Sequence, residues 1–441
     1  MDILNTISLE SNKKIKINFD GGDLSSDSGL FLISEFAHKI GLDKLVNRIF
    51  KTNDRSKRFH TDPQNLLQML YQIIAGYFQD DHSDALKNEP VLTAILKKET
   101  LASQPTISRF FNRMDNDTID QFHQINRQLR KIAYSINRPE FVLFDLDSTL
   151  LNTYGHQEGK GYNFHYQANG YHPLVCYDGL TGDLIAMELR PGAQYCSNES
   201  EVFMERVLKE FQEDFPEIPC YFRADAGFAS PKLYEILEKY GCKYAIRLKQ
   251  NARLKQMIDE KDQALYEATM YRTLPYAVTY HEFNYQADSW TKERRIMCKI
   301  EKPYGQMVHT NTFIVTNFEE LNVQQVIQYY CGRGRMENFI KEGKHGFDFS
   351  AVSSSSMIVN ANRFELHGLA YNLFNLFRRL VLPTSLAKQQ IDTLRLKLLK
   401  IAGRIVKSSR SVFFKLNGSC PYQNEFRQTI MNIRNLQIQL E

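Results

Sequence analysis

The chain has 441 residues, 43% hydrophobic and 12% aromatic, enough apolar material for the cores of several domains. Lysine and arginine outnumber aspartate and glutamate by 55 to 51, and this mildly basic balance permits a nucleic-acid partner without requiring one. Seven cysteines without C-x-x-C spacing argue against a zinc site and a disulfide framework. No apolar run has transmembrane length and no signal peptide is evident, so we expect a soluble cytoplasmic protein without a membrane partner.

Residues 1–136 carry a mainly helical pattern after a short strand predicted at Lys14–Phe19. Apolar residues at helical spacing predict amphipathic helices at Leu30–Ile40, Leu42–Phe50, Pro63–Tyr77 and Val91–Lys97. A basic cluster consists of Arg48, Lys51, Arg55, Lys57 and Arg58. The segment Ser103–Arg113 fits either the recognition helix of a helix-turn-helix or an ordinary capped helix.

An alternation of strands and helices begins at Phe141. The run FVLFDLDSTLL predicts a buried strand, on which Asp145 and Asp147 share one face because they are two residues apart. The next predicted elements are a hairpin at 172–179 and 183–192, a helix at Ser200–Phe215, a strand ending at Asp225, a helix at Ser230–Tyr240 and a strand at 243–250. This order predicts an α/β core with a mixed sheet flanked by helices.

Residues 251–311 interrupt the alternation, and we interpret them as a β-rich insertion domain. A strand at 312–318 and a long apolar helix at Met357–Leu382 return to the core. The last part should hold a basic helix, a hairpin around Asn417–Gly418 and a final helix. The predicted division is therefore a helical domain at 1–136, a core at 137–250 and 312–383, an insertion domain at 251–311 and a small C-terminal region at 384–441.

The stretch YCGRGRMENFIKEGK, residues 330–344, combines cations, a carboxylate and glycines. On one continuous helix, roughly 80° of arc would hold Tyr330, Arg333, Glu337, Lys341 and Lys344. This pattern also fits a solvated helix face with a Glu337–Lys341 ion pair. The glycines favour a close approach instead, by another backbone or by a phosphate chain.

Three carboxylates on separate predicted elements could complete a metal site: Asp147, Asp225 and Glu337. A carboxylate within a buried strand is costly unless it is paired or binds a metal. Three such groups can converge on two divalent ions about 4 Å apart, an arrangement that serves phosphoryl transfer. Hard cations such as Mg²⁺ prefer these oxygen ligands.

The run FDLDSTLL also matches the D-x-D-x-T-L motif of haloacid-dehalogenase-like phosphatases, with Asp145 as nucleophile and Asp147 as general acid. Those enzymes need a later acidic motif of the G-D-x-x-x-D kind at a strand end, and none follows KYAIRLKQ. The phosphatase hypothesis also leaves the pattern at 330–344 unexplained.

The spacing from Tyr330 to Lys344 matches the Y-x-x-R-x-x-x-E-x-x-x-x-x-x-K signature of DDE-class insertion-sequence transposases. DLDST and RADAGF match the first- and second-aspartate motifs of that class. Nearly the whole chain resembles it, and FDGGDLSSDSG, YGHQEGKGYNFHY and NANRFELHGLAYNL resemble insertion-sequence family thirteen-eighty.

The resemblance implies an RNase H-like core with a catalytic triad of Asp147, Asp225 and Glu337. The triad would hold two Mg²⁺ ions, with Mn²⁺ as a substitute, and Asp145 stays an alternative to Asp147 as the first acid. Further implied DNA contacts are phosphate binding by Arg333 and Lys344, strand positioning by Tyr330 and base stacking by Trp290. Trp290 fits a core position equally well.

The implied function is a DNA transposase that binds terminal inverted repeats through residues 1–136. It would cut double-stranded DNA at those ends and join the freed 3′-hydroxyl to target DNA. We expect it to act as a homodimer on DNA, with residues 384–441 assisting DNA binding or synapsis. The alternatives are a catalytically inactive DNA-binding remnant and the phosphatase.

Overall fold

A computed structural model describes residues 6–54, 56–270, 276–306, 308–408 and 410–438. Arg55, one member of the predicted basic cluster, lies outside the described residues. Contacts divide the chain into two compact units. The first consists of Met1–Ile132, His345–Ala351 and Leu369–Glu441, and the second of Ala133–Lys344 and Val352–Gly368.

The N-terminal part is helical, as its apolar periodicity predicts. Its three short strands are β1 (Ile7–Ser8), β2 (Lys16–Ile17) and β3 (Leu24–Ser25). Its helices are α1 (Leu30–Lys39), α2 (Leu42–Ile49), α3 (Asp62–Ala75), α4 (His82–Ala85), α5 (Pro90–Leu96), α6 (Gln104–Phe111) and α7 (Asn116–Ile136). α3 begins at a capping box formed by Thr61 and Gln64, and α6 begins after the predicted N-cap, Ser103.

The central part alternates strands and helices. Its strands are β4 (Val142–Ser148), β5 (Leu151–Asn152), β6 (Gly161–Asn163), β7 (Ala168–Tyr171), β8 (Leu174–Asp178), β9 (Leu184–Glu188), β10 (Cys220–Ala224) and β11 (Lys243–Leu248). The helices among them are α8 (Ser200–Asp214) and α9 (Pro231–Lys239), and a 3₁₀ turn at Ala226–Phe228 follows β10.

The remaining elements complete the core and the C-terminal region. They are α10 (Ala252–Met270), β12 (Ala277–Tyr285), β13 (Arg294–Lys302), β14 (Thr310–Thr316), α11 (Val323–Cys331), α12 (Gly334–Gly346), α13 (Met357–Val381), α14 (Ile391–Leu394), β15 (Gly403–Lys407), β16 (Val412–Leu416) and α15 (Gln423–Asn435). No helix among the described residues is long and apolar enough to span a bilayer.

One eight-stranded mixed sheet organises the second unit, in the order β12-β13-β14-β11-β10-β4-β8-β9. β4 is central: it pairs in parallel with β10 and antiparallel with β8. Its apolar side chains are fully buried, and the Phe144 ring meets Phe211 of α8 edge to face at 5.4 Å. The predicted mixed sheet flanked by helices is therefore confirmed.

The sheet differs from the prediction at the proposed insertion. β12 and β13 pair with each other and with β14, so they extend the core sheet instead of folding apart from it. The reason is a continuous ladder: β14 pairs with β13 on one side and with β11 on the other. The strands within residues 251–311 therefore belong to the same sheet as the core strands.

The first unit joins the two ends of the chain. β15 pairs with β3 and β16, which places Gly403 opposite Ser25. The predicted hairpin at Asn417–Gly418 is wrong in position, because the strands turn between Lys407 and Val412. Sequence periodicity could not indicate the pairing with β3, because the partners are far apart along the chain.

Burial of Phe144 predicts a large cost for its removal. Phe144→Ala should lower the free energy of unfolding by about 3–5 kcal/mol, because it removes a ring and leaves a cavity. The matched control is Phe164→Ala, since Phe164 is 87% exposed. That variant should stay within about 0.5 kcal/mol of wild type. Denaturant titration measures both, and equal losses would contradict the burial of Phe144.

Candidate active site

A buried ion pair lies beneath the site, formed by Asp145 of β4 and Arg223 of β10. The two residues are opposite each other in the parallel ladder. Nε and Nη2 of Arg223 each donate to one carboxylate oxygen of Asp145 at 2.7 Å. Asp145 is fully buried, which raises its pKa, while the hydrogen bonds and charge of Arg223 oppose that rise.

Two glycines make room for this ion pair. A Cβ atom on Gly179 would lie 2.2 Å from Oδ2 of Asp145, and one on Gly332 would lie 2.7 Å from Nη1 of Arg223. Any larger residue would therefore collide with the paired side chains. Gly332 does permit a close approach, as predicted, and here the group that approaches is an arginine.

The next two residues on the same sheet face are both acids. The ladder pairs Ala224 with Leu146, so Asp225 follows level with Asp147 on the adjacent strand. Adjacent strands are about 4.8 Å apart, and alternation turns both side chains to the face that carries the buried ion pair. We call Asp147 and Asp225 the acid pair.

Asp147 is held by contacts with Arg333 and with the backbone of Ser148. Nη2 of Arg333 lies 2.7 Å from Oδ2 of Asp147, and the Ser148 amide donates to Oδ1 at 2.9 Å. Burial raises the pKa of Asp147, Arg333 lowers it, and the charge of Asp225 raises it further. The carboxylate therefore favours a cation beside it.

Asp225 follows β10 directly and caps the 3₁₀ turn. Its Oδ1 accepts a hydrogen bond from the Gly227 amide at 2.9 Å. Carboxylates at such caps are stabilised by backbone donors. The structure thus brings two of the three predicted acids together.

The signature segment is not one continuous helix. α11 ends at Cys331, and α12 begins at Gly334. Nη1 of Arg223 donates to the carbonyl of Tyr329 at 2.7 Å, and the Arg333 amide bonds instead to the Tyr330 carbonyl at 3.0 Å. The predicted continuous helix face is therefore wrong, because Arg223 of the buried ion pair binds a carbonyl that the helix would use.

The other signature residues lie on both sides of this break. Glu337 is exposed in the first turn of α12, and the described residues contain no three-residue acidic, His or Cys group arranged for a metal ion. Nζ of Lys344 donates to the Leu150 carbonyl at 2.8 Å, and burial lowers its pKa. Tyr330 is half-buried against the apolar cluster around Val326, and burial raises its pKa.

Trp290 is a core residue that also borders a cavity. It is 8% exposed, and its ring meets Tyr234 and Tyr285 edge to face at 5.4 Å. It lines a cavity of about 280 Å³ together with Tyr195 and residues 226–227, which follow Asp225 directly. The core alternative describes its packing, and base stacking stays a prediction.

Sequence reasoning missed Arg223, although a signal exists. β4 carries Asp145-x-Asp147, and the next parallel strand carries Arg223-x-Asp225 before its turn. An arginine inside an apolar strand needs a buried partner, and a buried aspartate on a neighbouring strand can supply it. Because the two strands are parallel and share this spacing, Asp145 can pair with Arg223, and Asp147 then lies beside Asp225.

Nearly the whole chain matches a known protein family. The model of the family described as Transposase DDE domain group 1 matches residues 7–438. No curated protein matches the chain. A piggyBac transposase in a synaptic complex with hairpin DNA is 14% identical, with a TM-score of 0.45 over 93% of this chain and 84% of that one.

The catalytic domain of Mos1 mariner transposase is 12% identical, with a TM-score of 0.19 over 34% of this chain and 71% of that one. At these TM-scores neither structural likeness bears on the details of the site.

The buried ion pair predicts that a single variant loses much more stability than the double variant that removes both charges. Arg223→Met should lower the free energy of unfolding by about 3–5 kcal/mol, because it leaves a buried carboxylate without a partner. Asp145→Leu with Arg223→Met should recover most of that loss. Lys239→Met, which breaks an exposed pair with Glu205, should have a much smaller effect. Recovery that fails in the double variant would contradict the pairing.

Proposed function

The chain belongs to the Transposase DDE domain group 1 family, and from that premise we propose how its residues cleave DNA. As a member it is a DNA transposase, an enzyme that acts on phosphodiester bonds. We propose that it serves an insertion sequence related to family thirteen-eighty and works through an RNase H-like core. The observation that carries this proposal is the acid pair, level on adjacent strands beside Arg333.

We infer that Asp147 is the first catalytic acid. Both oxygens of Asp145 are bound to Arg223, so that carboxylate has little capacity for another ligand. The same bonds argue against Asp145 as a phosphatase nucleophile. Asp147 lies one residue before the end of β4 and level with Asp225, and neighbouring like charges favour a shared cation.

Glu337 is the proposed third acid. It follows Arg333 by four residues, about 6 Å along a helix. Because Arg333 contacts Asp147, a modest rotation of the first turn of α12 would carry Glu337 toward the acid pair. The break between α11 and α12 is the place where such a rotation costs least, since Gly334 has open space at its Cβ position.

The acid pair fits a divalent ion by its chemistry. Its donors are carboxylate oxygens, which Mg²⁺ prefers, and burial together with mutual repulsion makes a nearby positive charge favourable. We propose that Asp147, Asp225 and Glu337 hold two Mg²⁺ ions, with Mn²⁺ as a substitute. Such ions would activate water and stabilise charge on the scissile phosphate.

The neighbouring cations have positioning roles in this proposal. Arg333 would exchange its contact with Asp147 for a DNA phosphate, a planar recognition that guanidinium favours. Lys344, fixed on the Leu150 carbonyl, would hold a second phosphate. Tyr330 would position the strand, and Trp290 would stack on a base that enters its cavity.

DNA-end binding is proposed for residues 1–136. Arg48, Lys51 and Lys57 are exposed there, and α6 presents exposed Arg109. Arg58, by contrast, is engaged by acidic neighbours. We propose that these exposed cations bind the terminal inverted repeats, that residues 384–441 assist, and that two copies act together because two ends must be joined to target DNA.

The acid pair predicts loss of cleavage without loss of binding. Asp147→Asn, Asp225→Asn and Glu337→Gln should each reduce Mg²⁺-dependent cleavage of DNA carrying the element's ends by about 1000-fold or more. A gel assay for new 3′-hydroxyl ends measures this, and chelator should abolish the wild-type reaction.

The control is Glu293→Gln, which changes an exposed carboxylate elsewhere in the same unit and should cleave normally. Cleavage by Asp147→Asn at the wild-type rate would contradict the site. Normal cleavage by Glu337→Gln alone would contradict only the third acid.

The exposed cations predict salt-dependent binding by the N-terminal region. Arg48→Ala with Lys51→Ala should weaken binding to the element's ends and lower the salt slope by about 1 for each lost phosphate contact. Fluorescence anisotropy of labelled DNA measures both quantities. Lys239→Ala, an exposed lysine of the other unit, should change neither. An unchanged slope in the double variant would place end binding elsewhere.

A further inference from the structure

An exposed aromatic surface lies on the hairpin between β6 and β7. Phe164 is 87% exposed, Tyr162 is 45% exposed, and Tyr154 just before the hairpin is 94% exposed. The rings of Tyr162 and Phe164 meet edge to face at 5.2 Å. We call Tyr162 and Phe164 the aromatic platform. A ligand that covered these rings would gain the favourable burial that they lack in the free protein.

The platform stands on a fixed backbone. Asn163 between the two rings is buried; it donates to the Gly192 carbonyl and accepts from the amides of His165 and Tyr166. A Cβ atom on Gly170 of β7 would lie 2.2 Å from the Leu151 carbonyl, so the strands beneath are tightly packed. The backbone that carries the rings is thus held in place before any ligand binds, which limits the entropy lost on binding.

The platform is continuous with the acid pair through Tyr166. Its hydroxyl donates to the carbonyl of Ser148, the residue after Asp147, at 3.3 Å. Burial and the charges of Asp147 and Asp225 raise the pKa of Tyr166 to about 12. Tyr166 therefore stays protonated, and it links the hairpin to the strand end where cleavage is proposed.

The charge around the platform suits a nucleic acid. Residues 159–171 contain Lys160 and His165 but no aspartate or glutamate. The acid that precedes this segment in sequence, Glu158, accepts a hydrogen bond from the Met357 amide. Aromatic rings beside positive charge can stack on bases, and only bases that are not enclosed in a duplex offer a free face.

We propose that the aromatic platform stacks on unpaired DNA bases next to the phosphodiester bond held at the acid pair. The proposal rests on the DNA-cleaving function above, and it assigns the platform a separate task. Stacking would hold open the strands beside the scissile phosphate, and any base type would suit because each has a π face.

The test compares two DNA probes with the full-length protein in chelator, so that no cleavage occurs. One probe is a duplex ending in a short single-stranded thymidine arm, and the other is the same duplex fully paired. Wild type should prefer the armed probe. Phe164→Ala should weaken binding to the armed probe by about 5- to 150-fold, the effect of losing one stacked base, and leave the paired probe unchanged.

Matched variants separate stacking from general apolar contact. Phe164→Trp should retain the preference, Phe164→Leu should lose it, and Tyr304→Ala should retain it, since Tyr304 is 80% exposed elsewhere in the same unit. Equal binding of both probes by wild type would overturn the proposal. So would an equal loss for both probes in Phe164→Ala, or full retention in Phe164→Leu.

Asp147→Asn distinguishes this proposal from the proposed function. It should keep the preference for the armed probe while losing Mg²⁺-dependent cleavage. Cleavage that persists in Asp147→Asn, together with an intact preference, would contradict the catalytic site alone. Both proposals would be supported if Phe164→Leu lost the preference for the armed probe and Asp147→Asn lost the cleavage that wild type shows.

Discussion

The site depends on the buried ion pair of Asp145 and Arg223. Two guanidinium nitrogens of Arg223 bind the carboxylate oxygens of Asp145, and the third, Nη1, binds a carbonyl of α11. A buried charge without its partner costs several kcal/mol, so β4, β10 and the end of α11 must stay in this arrangement. Gly179 and Gly332 leave the space that the paired side chains occupy, because a Cβ atom at either position would collide with them.

The acid pair is the next layer on the same face, and the ion pair fixes its geometry. With Asp145 opposite Arg223, the period of two residues sets Asp147 level with Asp225. The same guanidinium interrupts the signature helix and leaves Arg333 in the break, where it reaches Asp147. One interaction thus aligns two carboxylates and supplies the cation that offsets their repulsion.

The sequence predicted much of the fold because apolar spacing survives in most elements. α1, α2, α3 and α5 occur where the pattern indicated them, as do the β8–β9 hairpin and the strand that carries Asp147. α7 was not predicted as a helix, although its largely polar sequence, NDTIDQFHQINRQLRKIAYSI, carries buried apolar residues at helical spacing: Phe122, Ile125, Leu129 and Ala133. The continuous signature helix was a local inference that a long-range contact overrode, and long-range pairing also makes β12 and β13 an extension of the core sheet.

The sequence by itself determined the family resemblance, the candidate acids near the strand ends and the apolar runs around them. The tertiary structure alone decided which of Asp145 and Asp147 has both oxygens bound by one buried arginine, because that depends on the strand that lies beside β4. It alone also decided where the signature helix breaks, because the competing donor, Arg223, is 106 residues from the carbonyl that it binds. Residue spacing along the chain indicates local helix and strand periodicity. Which residues become partners across strands depends on packing and on the cost of burying charge.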